Sequence, residues 1–345
     1  MTTSSTGRRA AKPRFAQSRI ARSRTPKPRI TQSRSPRTTR MTAVGAMAAV
    51  GLMLLAACGD QTQHSSHPSV PARSGGADSA AALLPPELRS KGIIRVGSDI
   101  AYPPVEFRDE SGGTIGIDPD LAAALGKELG VTFRFENGTF DTLVTGLRSK
   151  RYDVAMSAMT DTRNRQNGVD PETGKKVGEG VDFVDYFTAG VSIYTRKGDD
   201  QGIRTWSDLC GKKIVVQRGT VSHNLAKTES KKCPNGRKIA METFDNDLEA
   251  QTRLRSGGAA AGSSDFPVAA YAVKTSGGGK DFQLVGEQVE AAPYGIAVAK
   301  GNDQLTRAIQ AALDAVIKSG EYGRIMAKWG VEAGAVTKAE VNGGS

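Results

Sequence analysis

The chain has 345 residues, long enough for one large or two smaller cores, and carries 47 basic against 36 acidic side chains, a formal net charge of +11. Twelve of the basic residues and no acid lie within residues 1–57, so residues 58–345 hold 35 cations against 36 anions and give no electrostatic reason to expect DNA or RNA. Three cysteines without a Cys-x-x-Cys pattern, and no Gly-x-x-x-x-Gly-Lys-Ser/Thr phosphate loop, argue against a zinc ribbon, a dithiol redox centre and an ATPase.

In chain order, the basic stretch is followed by residues 43–57, which are small, apolar and uncharged. That run is too short to span a bilayer comfortably as a permanent helix and fits the hydrophobic region of a secretory signal, although a basic region of roughly forty residues before it is unusually long. Met41 is an alternative start, and Arg8-Arg9 stands too far from the apolar run for twin-arginine export. Leu55-Ala-Ala-Cys58 resembles the bacterial lipobox, whose cysteine is lipid-modified, with palmitate among the acyl chains. It implies a lipoprotein signal peptide over 1–57, lipid attachment at Cys58, and an exported protein anchored to the outer face of the cell membrane through that lipid alone. Residues 58–87, rich in Ser, Gly, Ala, Pro, Gln and His, show no helical or strand period and read as a lipid-anchored flexible linker. His64 and His67 lie in it as solvated side chains, with no further metal ligands nearby.

From residue 88 onward strands and helices alternate. Ile93-Ile-Arg-Val96 reads as a short strand, and Asp118-Pro-Asp120 as the cap of a helix with Leu121, Leu125 and Leu129 on one face and Gly130 as its stop. Val131-Thr-Phe-Arg-Phe135 alternates like a half-buried strand, and Leu143 and Leu147 mark a helix leading to the strand Asp153-Val-Ala-Met156. A second series runs through Thr205-Trp-Ser-Asp-Leu209 and the strand Lys213-Ile-Val-Val216 to the polar turn Gln217-Arg-Gly-Thr-Val-Ser222. Leu305, Ile309, Leu313 and Val316, then Tyr322, Ile325, Met326 and Trp329, form two helical stripes that read as packing surfaces. The alternation implies βαβ units and a mostly parallel sheet, an α/β fold. Cys210 and Cys233, in an exported domain where oxidation is permitted, are read as a disulfide.

Nine residues, Ser157-Ala-Met-Thr-Asp-Thr-Arg-Asn-Arg165, follow the strand at Asp153, at the place where open α/β sheets bind small ligands. Backbone N–H groups and a hydroxyl can hold one carboxylate oxygen while a guanidinium takes both, so the stretch reads as a carboxylate receptor; a polar turn in water is the alternative. The polar segment 166–180 beside it reads as a solvated loop, with a lid over a cleft as the alternative.

Over residues 88–333 an ordered set of motifs resembles the bacterial family 3 solute-binding proteins, the extracellular receptors of polar amino-acid ABC transporters. They are Arg95-Val-Gly-Ser-Asp99, Tyr102-Pro-Pro104, Gly116-Ile-Asp-Pro-Asp-Leu121, Phe140-Asp-Thr-Leu143, residues 153–165, Val181-Asp-Phe-Val-Asp-Tyr186, Gly219-Thr220, Asp265-Phe-Pro-Val-Ala-Ala-Tyr271, Pro293-Tyr-Gly-Ile-Ala-Val298 and Tyr322-Gly-Arg-Ile-Met-Ala-Lys-Trp329. The resemblance implies a two-lobed, type II periplasmic-binding-protein-like fold with a ligand cleft between the lobes. Lobe 1 is expected from 88–188 and 294–333 and lobe 2 from 189–293, with a C-terminal tail over 334–345. Two crossing hinge strands are expected near Thr188-Ala-Gly190 and Ala292-Pro-Tyr294.

The same resemblance implies a binding protein rather than an enzyme, monomeric and without cofactor or metal. It would pass a neutral polar or basic amino acid to an ABC permease with its cytoplasmic ATPase. Arg165 matches the arginine that takes the ligand's carboxylate, supported by Thr160 and, across the cleft, by Thr220. Asp265 matches the acid that takes the ammonium, with Ser157 or the Ala158 carbonyl as further acceptors, and Tyr102 and Phe140 match the aromatic walls. Asp99, Gln217, Val221 and Ser222 are expected to read the ligand's side chain, and Asp99 opposes an acidic one unless Arg218 swings in. The chain departs from the family at 256–264, small and flexible where an acid is usual, which bears on how Asp265 is held. Two other functions remain: a dehydratase-type enzyme on this fold with Glu106 as its spare acid, and a ligand-sensing subunit of a membrane receptor.

Overall fold

The computed structural model describes residues 79–345. The expected signal peptide over 1–57, the lipid site at Cys58 and residues 59–78 of the linker lie outside the described residues. In chain order the helices are α1 (Ala80–Leu83), α2 (Pro86–Lys91), α3 (Ile117–Leu129), α4 (Leu143–Arg148), α5 (Arg163–Asn167), α6 (Val221–Lys232), α7 (Asp247–Arg255), α8 (Phe266–Thr275), α9 (Asp303–Lys318) and α10 (Glu321–Trp329). The strands are β1 (Ile93–Ser98), β2 (Phe107–Arg108), β3 (Thr114–Ile115), β4 (Thr132–Asn137), β5 (Val154–Ala155), β6 (Val181–Arg196), β7 (Lys213–Gln217), β8 (Ala240–Phe244), β9 (Ala261–Asp265), β10 (Phe282–Ala299) and β11 (Ala335–Val341).

β1 pairs in parallel with β4 and β5, and β7 in parallel with β8 and β9, giving two parallel three-stranded units. Between them run β6 and β10, antiparallel to each other and each long enough to serve both units. β10 meets β5 through Ala297 and Val298, while β6 meets β9 through residues 191–194, so the sheet order is β4-β1-β5-β10-β6-β9-β7-β8. The expected crossings pair directly, Ala292 with Ala189 and Pro293 with Thr188, and the β10 register is irregular on both sides of them, between Val289 and Ala292 and between Tyr294 and Gly295. Such a local break in a ladder is where a strand bends most readily.

Each unit has its own apolar packing. On the β1 side, Leu121 and Leu125 of α3, one turn apart, bury against the β1 residues Ile94 and Val96 together with Ile309 and Leu313 of α9. On the β7 side, Ile214 and Val216 of β7 pack with Trp206, Leu209 and Ala226 of α6. α3 stops at Gly130, whose φ of 69° is the left-handed cap conformation. Its start differs from the sequence reading: the N-cap is Gly116, and Asp118 is fully buried inside the first turn, accepting from the Tyr186 hydroxyl at 2.7 Å.

Packing extends past both ends of the expected lobes. The flexible linker read over 58–87 gives way by residue 80 to α1 and α2, because Ala80, Leu84 and Leu88 have apolar partners in the core around α3 and α9. The tail read over 334–345 contains β11, which pairs antiparallel with β6. Residues 256–264, expected to be a loose loop, contribute β9, a buried strand between β6 and β7 in which small side chains suit the crowded centre of the sheet.

Cys210 and Cys233 form a disulfide with Cα atoms 5.6 Å apart, tying the turn before β7 to the C-cap of α6 across 23 positions. A loop of this size carries about 3 kcal/mol in the chain-entropy model. Replacing both cysteines by serine is expected to lower the stability of the β7–β9 unit by about that amount. Urea unfolding followed by Trp206 fluorescence in a Trp329→Phe background measures it, and an unmoved midpoint would show that the crosslink contributes nothing.

Candidate functional site

In each parallel unit the chain leaves the sheet at the carboxyl ends of the strands, and those exits face one another. Asp99 follows β1, Ser157 to Arg165 follow β5, Gln217 ends β7 with Thr220 just beyond it, and Asp265 ends β9. Open α/β sheets present ligand-binding groups at this edge, where helices begin and backbone N–H groups are unpaired.

Arg165 sits in α5, a helix of five residues whose N-cap Thr162 accepts from the Arg165 N–H at 3.3 Å. Its guanidinium donates to the Thr160 carbonyl at 2.6 Å and, across to the other unit, to the Gly219 carbonyl at 3.1 Å, and it lies 5.2 Å from the centre of the Phe140 ring. Burial draws the guanidinium down to about 10, against the pull of Asp265 and Asp161. Gly219 has φ of 78°, and a side chain there would bring its Cβ to 2.8 Å from that of Asp141, so the two units touch at a point only glycine fits. Beyond it Thr220 caps α6, accepting from the His223 N–H at 3.1 Å and donating to the Gln217 carbonyl at 2.8 Å. The positive end of the α6 dipole and the Arg165 fork thus adjoin the same contact, a combination suited to a carboxylate.

The other side of the site is acidic. Asp99 is 5 % exposed and accepts from the Gln217 amide of the opposite unit; the same amide nitrogen donates to the Asp245 carbonyl at 3.1 Å. Burial, offset by Gln217, pushes Asp99 up to about 6, with Asp141, Glu249 and Asp245 adding to the rise. Asp265 is the N-cap of α8 but makes no side-chain cap bond; its backbone N–H donates to the Tyr102 hydroxyl at 3.2 Å. Burial raises Asp265 to about 6, opposed by Tyr102, Tyr294 and Arg165. Asp247, at the start of α7, is fully buried; one carboxyl oxygen accepts from Gln251 at 2.7 Å and the other has no hydrogen-bond partner. Burial lifts it to about 7, with Asp265 and Asp99 contributing.

Behind Asp99 lies a second tier. The Ser157 hydroxyl accepts from the Asp99 N–H at 3.1 Å and donates to Glu106 at 2.5 Å, so two of its bonds are already committed to support. Glu106 is fully buried beside Asp118; burial raises both above the carboxylate range, with the charge of Asp118 adding to the rise of Glu106, while hydrogen bonds from Tyr186, the Ala158 N–H and Glu106 hold Asp118 back. Ala158 holds a φ of 45°, strained for a residue with a Cβ, at the bend where the chain turns from β5 toward Arg165.

The structure therefore brings Asp99, Tyr102, Phe140, Ser157, Ala158, Thr160, Arg165, Gln217, Thr220 and Asp265 to one interlobe edge. Val221 lines a cavity of about 420 Å³ next to Arg165, and Ser222 is buried in the first turn of α6 with its hydroxyl unpartnered. Phe140 carries the guanidinium on its face. Arg218 is held by Asp245 at 3.3 Å and Asp141 at 3.8 Å rather than aimed at Asp99. The segment 166–180 folds back on itself and reaches the other unit through Glu172, which accepts from Lys227 at 2.8 Å. Sequence reasoning missed Asp247, Asp118 and Tyr294. Asn246-Asp247 reads as an ordinary helix start, and no local pattern distinguishes an acid that caps from one that is buried.

Comparison with known proteins follows the same lines. Residues 94–332 match the model for bacterial extracellular solute-binding proteins, family 3. The arginine-binding protein ArgT of Corynebacterium glutamicum is 31% identical over 264 residues, which cover 76% of this chain and 82% of that protein. Among solved structures, an ancestral arginine-binding protein bound to arginine aligns with a TM-score of 0.62 and 38% identity, covering 69% of this chain and 98% of that one. An ancestral arginine-binding protein bound to glutamine gives 0.61 and 37%, covering 70% and 99%.

Asp99, Asp247 and Asp265 titrate near 6 to 7 in the fold, above the 3.8 of an unperturbed aspartate. Between those limits the folded chain binds more protons than the unfolded one, so ligand-free stability is greatest at the acid end and falls as pH rises through the folded values. Asp153, held low by Arg95, titrates below this window. The ligand-free protein is therefore expected to melt at a higher temperature at pH 5 than at pH 7.5, and Asp247→Asn to raise the melting temperature at pH 7.5 and flatten the profile. Scanning calorimetry across that range decides it; a profile rising toward pH 7.5 and unaltered by the substitution contradicts the electrostatic assignment.

Proposed function

The chain belongs to family 3 of the bacterial extracellular solute-binding proteins, and from that premise we propose that it binds a basic amino acid of the arginine type between its lobes. The observation that carries this is the imbalance of charge at the strand ends. Three nearly or fully buried acids, Asp99, Asp247 and Asp265, stand there against one guanidinium, Arg165. A ligand with one carboxylate and two cationic groups supplies partners for Arg165 and for two of the three acids; a neutral amide supplies a cation for only one of them, and an acidic side chain adds like charge.

In this reading Arg165 and the N-terminus of α6 take the carboxylate, and Asp265 takes the ammonium. Tyr102 and Phe140 flank the aliphatic part. Asp99 and Gln217 meet the terminal cation, with Asp247 adding negative potential behind them. A planar guanidinium suits the paired oxygens of Asp99 better than an ammonium does, because two parallel N–H groups can be accepted at once. The arginine named for the relatives supports the same choice. We also propose that the protein is exported, anchored by lipid at Cys58 after loss of residues 1–57, and that as a monomer it delivers its ligand to an ABC permease.

Titration calorimetry with L-arginine, L-lysine and L-glutamine tests the proposal. L-arginine is expected to bind most tightly, and Arg165→Ala or Asp265→Ala to weaken it by about 2 kcal/mol or more, the scale for truncating one partner of a buried charge pair. Asp99→Asn is expected to weaken L-arginine while sparing L-glutamine. Equal affinity for all three ligands, or wild-type affinity in the Arg165 and Asp265 variants, would sink it.

A further inference from the structure

Arg165 is carried by a helix too short to hold itself. Isolated helices need roughly a dozen residues or more before their hydrogen bonds outweigh the ordering of the chain, and α5 has five. Its position must come from outside, and the contacts that supply it converge on Asp161, which is fully buried just before the helix.

Three groups hold Asp161. Its backbone N–H donates to the Pro293 carbonyl of β10 at 2.8 Å, and one carboxyl oxygen accepts from the Gln166 side chain at 2.7 Å. The other oxygen accepts from the Gly344 N–H at 2.8 Å, and Gln166 also donates to the Gly344 carbonyl at 3.4 Å. Gln166 is next to Arg165, so the bonds from Gly344 to Asp161 and Gln166 close a ring around the segment bearing the guanidinium.

Gly344 is delivered there by β11, beyond the residues matched by the family, which end at 332. β11 runs antiparallel to β6, with Glu340 opposite Asp185 and Val341 opposite Val184. Asn342 then turns the chain with φ of 56°, a conformation asparagine tolerates. Its N–H donates to the Phe183 carbonyl at 3.1 Å, and its side chain accepts from the Phe183 N–H and donates to Asp182, both at 2.9 Å. Gly343 donates to Asp185 at 2.9 Å. The approach that follows admits no side chain: a Cβ at Gly344 would lie 2.1 Å from the Asp161 carbonyl oxygen. Asn342-Gly-Gly344 is thus a turn and a close contact fitted to each other.

We propose that residues 342–344 are a strap that positions Arg165, making them positioning residues for the grip on the ligand's carboxylate. The strap acts at one pole of the site, on the loop between β5 and α5, and leaves Asp99 and Gln217 untouched. The proposal rests on the reading of Arg165 as the carboxylate's partner.

Two variants test it: Gly344→Val, which forces a branched side chain into the contact with Asp161, and deletion of residues 342–345, which leaves β11 intact. Amide hydrogen exchange on the ligand-free protein is read at residues 161–166, with α6 as the internal reference. Affinity is measured by calorimetry for L-arginine and for L-argininamide, which lacks the carboxylate's charge. Exchange at 161–166 is expected to speed up in both variants while α6 stays as in the wild type. L-arginine should weaken by about tenfold, the lower end of what outer-shell partners contribute in metal sites, with L-argininamide little changed. Equal loss for both ligands would reveal a general structural role and overturn the positioning claim. Unchanged exchange at 161–166 overturns the strap whatever the ligand. Because the exchange arm needs no ligand, loosening confined to 161–166 supports the strap even if wild-type protein binds neither compound, a result that would count instead against the ligand assignment.

Discussion

Two strands that belong to both halves of the molecule set everything else. β6 and β10 each enter one parallel unit and leave through the other, so the carboxyl ends of β1 and β5 are forced to face those of β7 and β9. Strand ends are where an α/β unit has its unpaired N–H groups and helix starts, and opposing two such edges creates a site with complementary groups on both walls. The register breaks in β10 between Val289 and Gly295 fall at the crossing itself, so bending is confined to a few residues while the cores on either side stay packed.

That placement is costly in electrostatic terms. Asp99, Asp247 and Asp265 are withdrawn from water into a region where the Arg165 guanidinium opposes the rise of Asp265, and their raised titration points reflect that burial. Burying carboxylates opposes folding, and the molecule retains three in one place, with the Gln217 amide on Asp99, Gln251 on one oxygen of Asp247, and Tyr102 and Tyr294 on Asp265. The second tier shows that this is organised: Ser157 spends its hydroxyl on Asp99 and Glu106, and Asp118 is fixed by Tyr186. A site that is uncomfortable when only the protein occupies it is one that a cationic ligand can stabilise strongly.

Much of this was legible in the sequence, and the reason differs from element to element. The turns after β5 and β7 stand out because polar, hydroxyl-bearing residues follow short apolar runs, and that contrast survives without knowledge of tertiary contacts. Leu121, Leu125, Leu305 and Ile309 betray their faces by helical spacing. Asp118 does not: an acid beside a proline at a helix start is what a cap looks like, and only the position of Tyr186 turns it into a buried acceptor. Asp247 is hidden the same way. Residues 80–87 and 335–345 read as linker and tail because small or polar residues dominate them, yet Leu84 and the pairing of β11 with β6 give each a place in the fold. Long-range pairing of a weakly patterned strand leaves no local trace.

The contacts between the lobes decide how a ligand can hold them together. Arg165 donates to the Gly219 carbonyl, Gln217 to Asp99, and the Asp265 N–H to the Tyr102 hydroxyl, so in this arrangement the walls are paired with each other. A ligand shifts the balance between open and closed forms only by its differential interaction with the two. Exchanging carbonyl partners for a carboxylate replaces neutral acceptors by a charged one that can take two parallel N–H bonds at once, so Arg165 gains by the exchange. With the guanidinium ligand proposed above, Asp99 gains likewise when that cation replaces the Gln217 amide donor. The groups that meet across the cleft act as weak stand-ins for the ligand. They hold the two walls together without a ligand, and on the proposed reading the stronger, charged partnership is left for an amino acid that carries both charges in the right order.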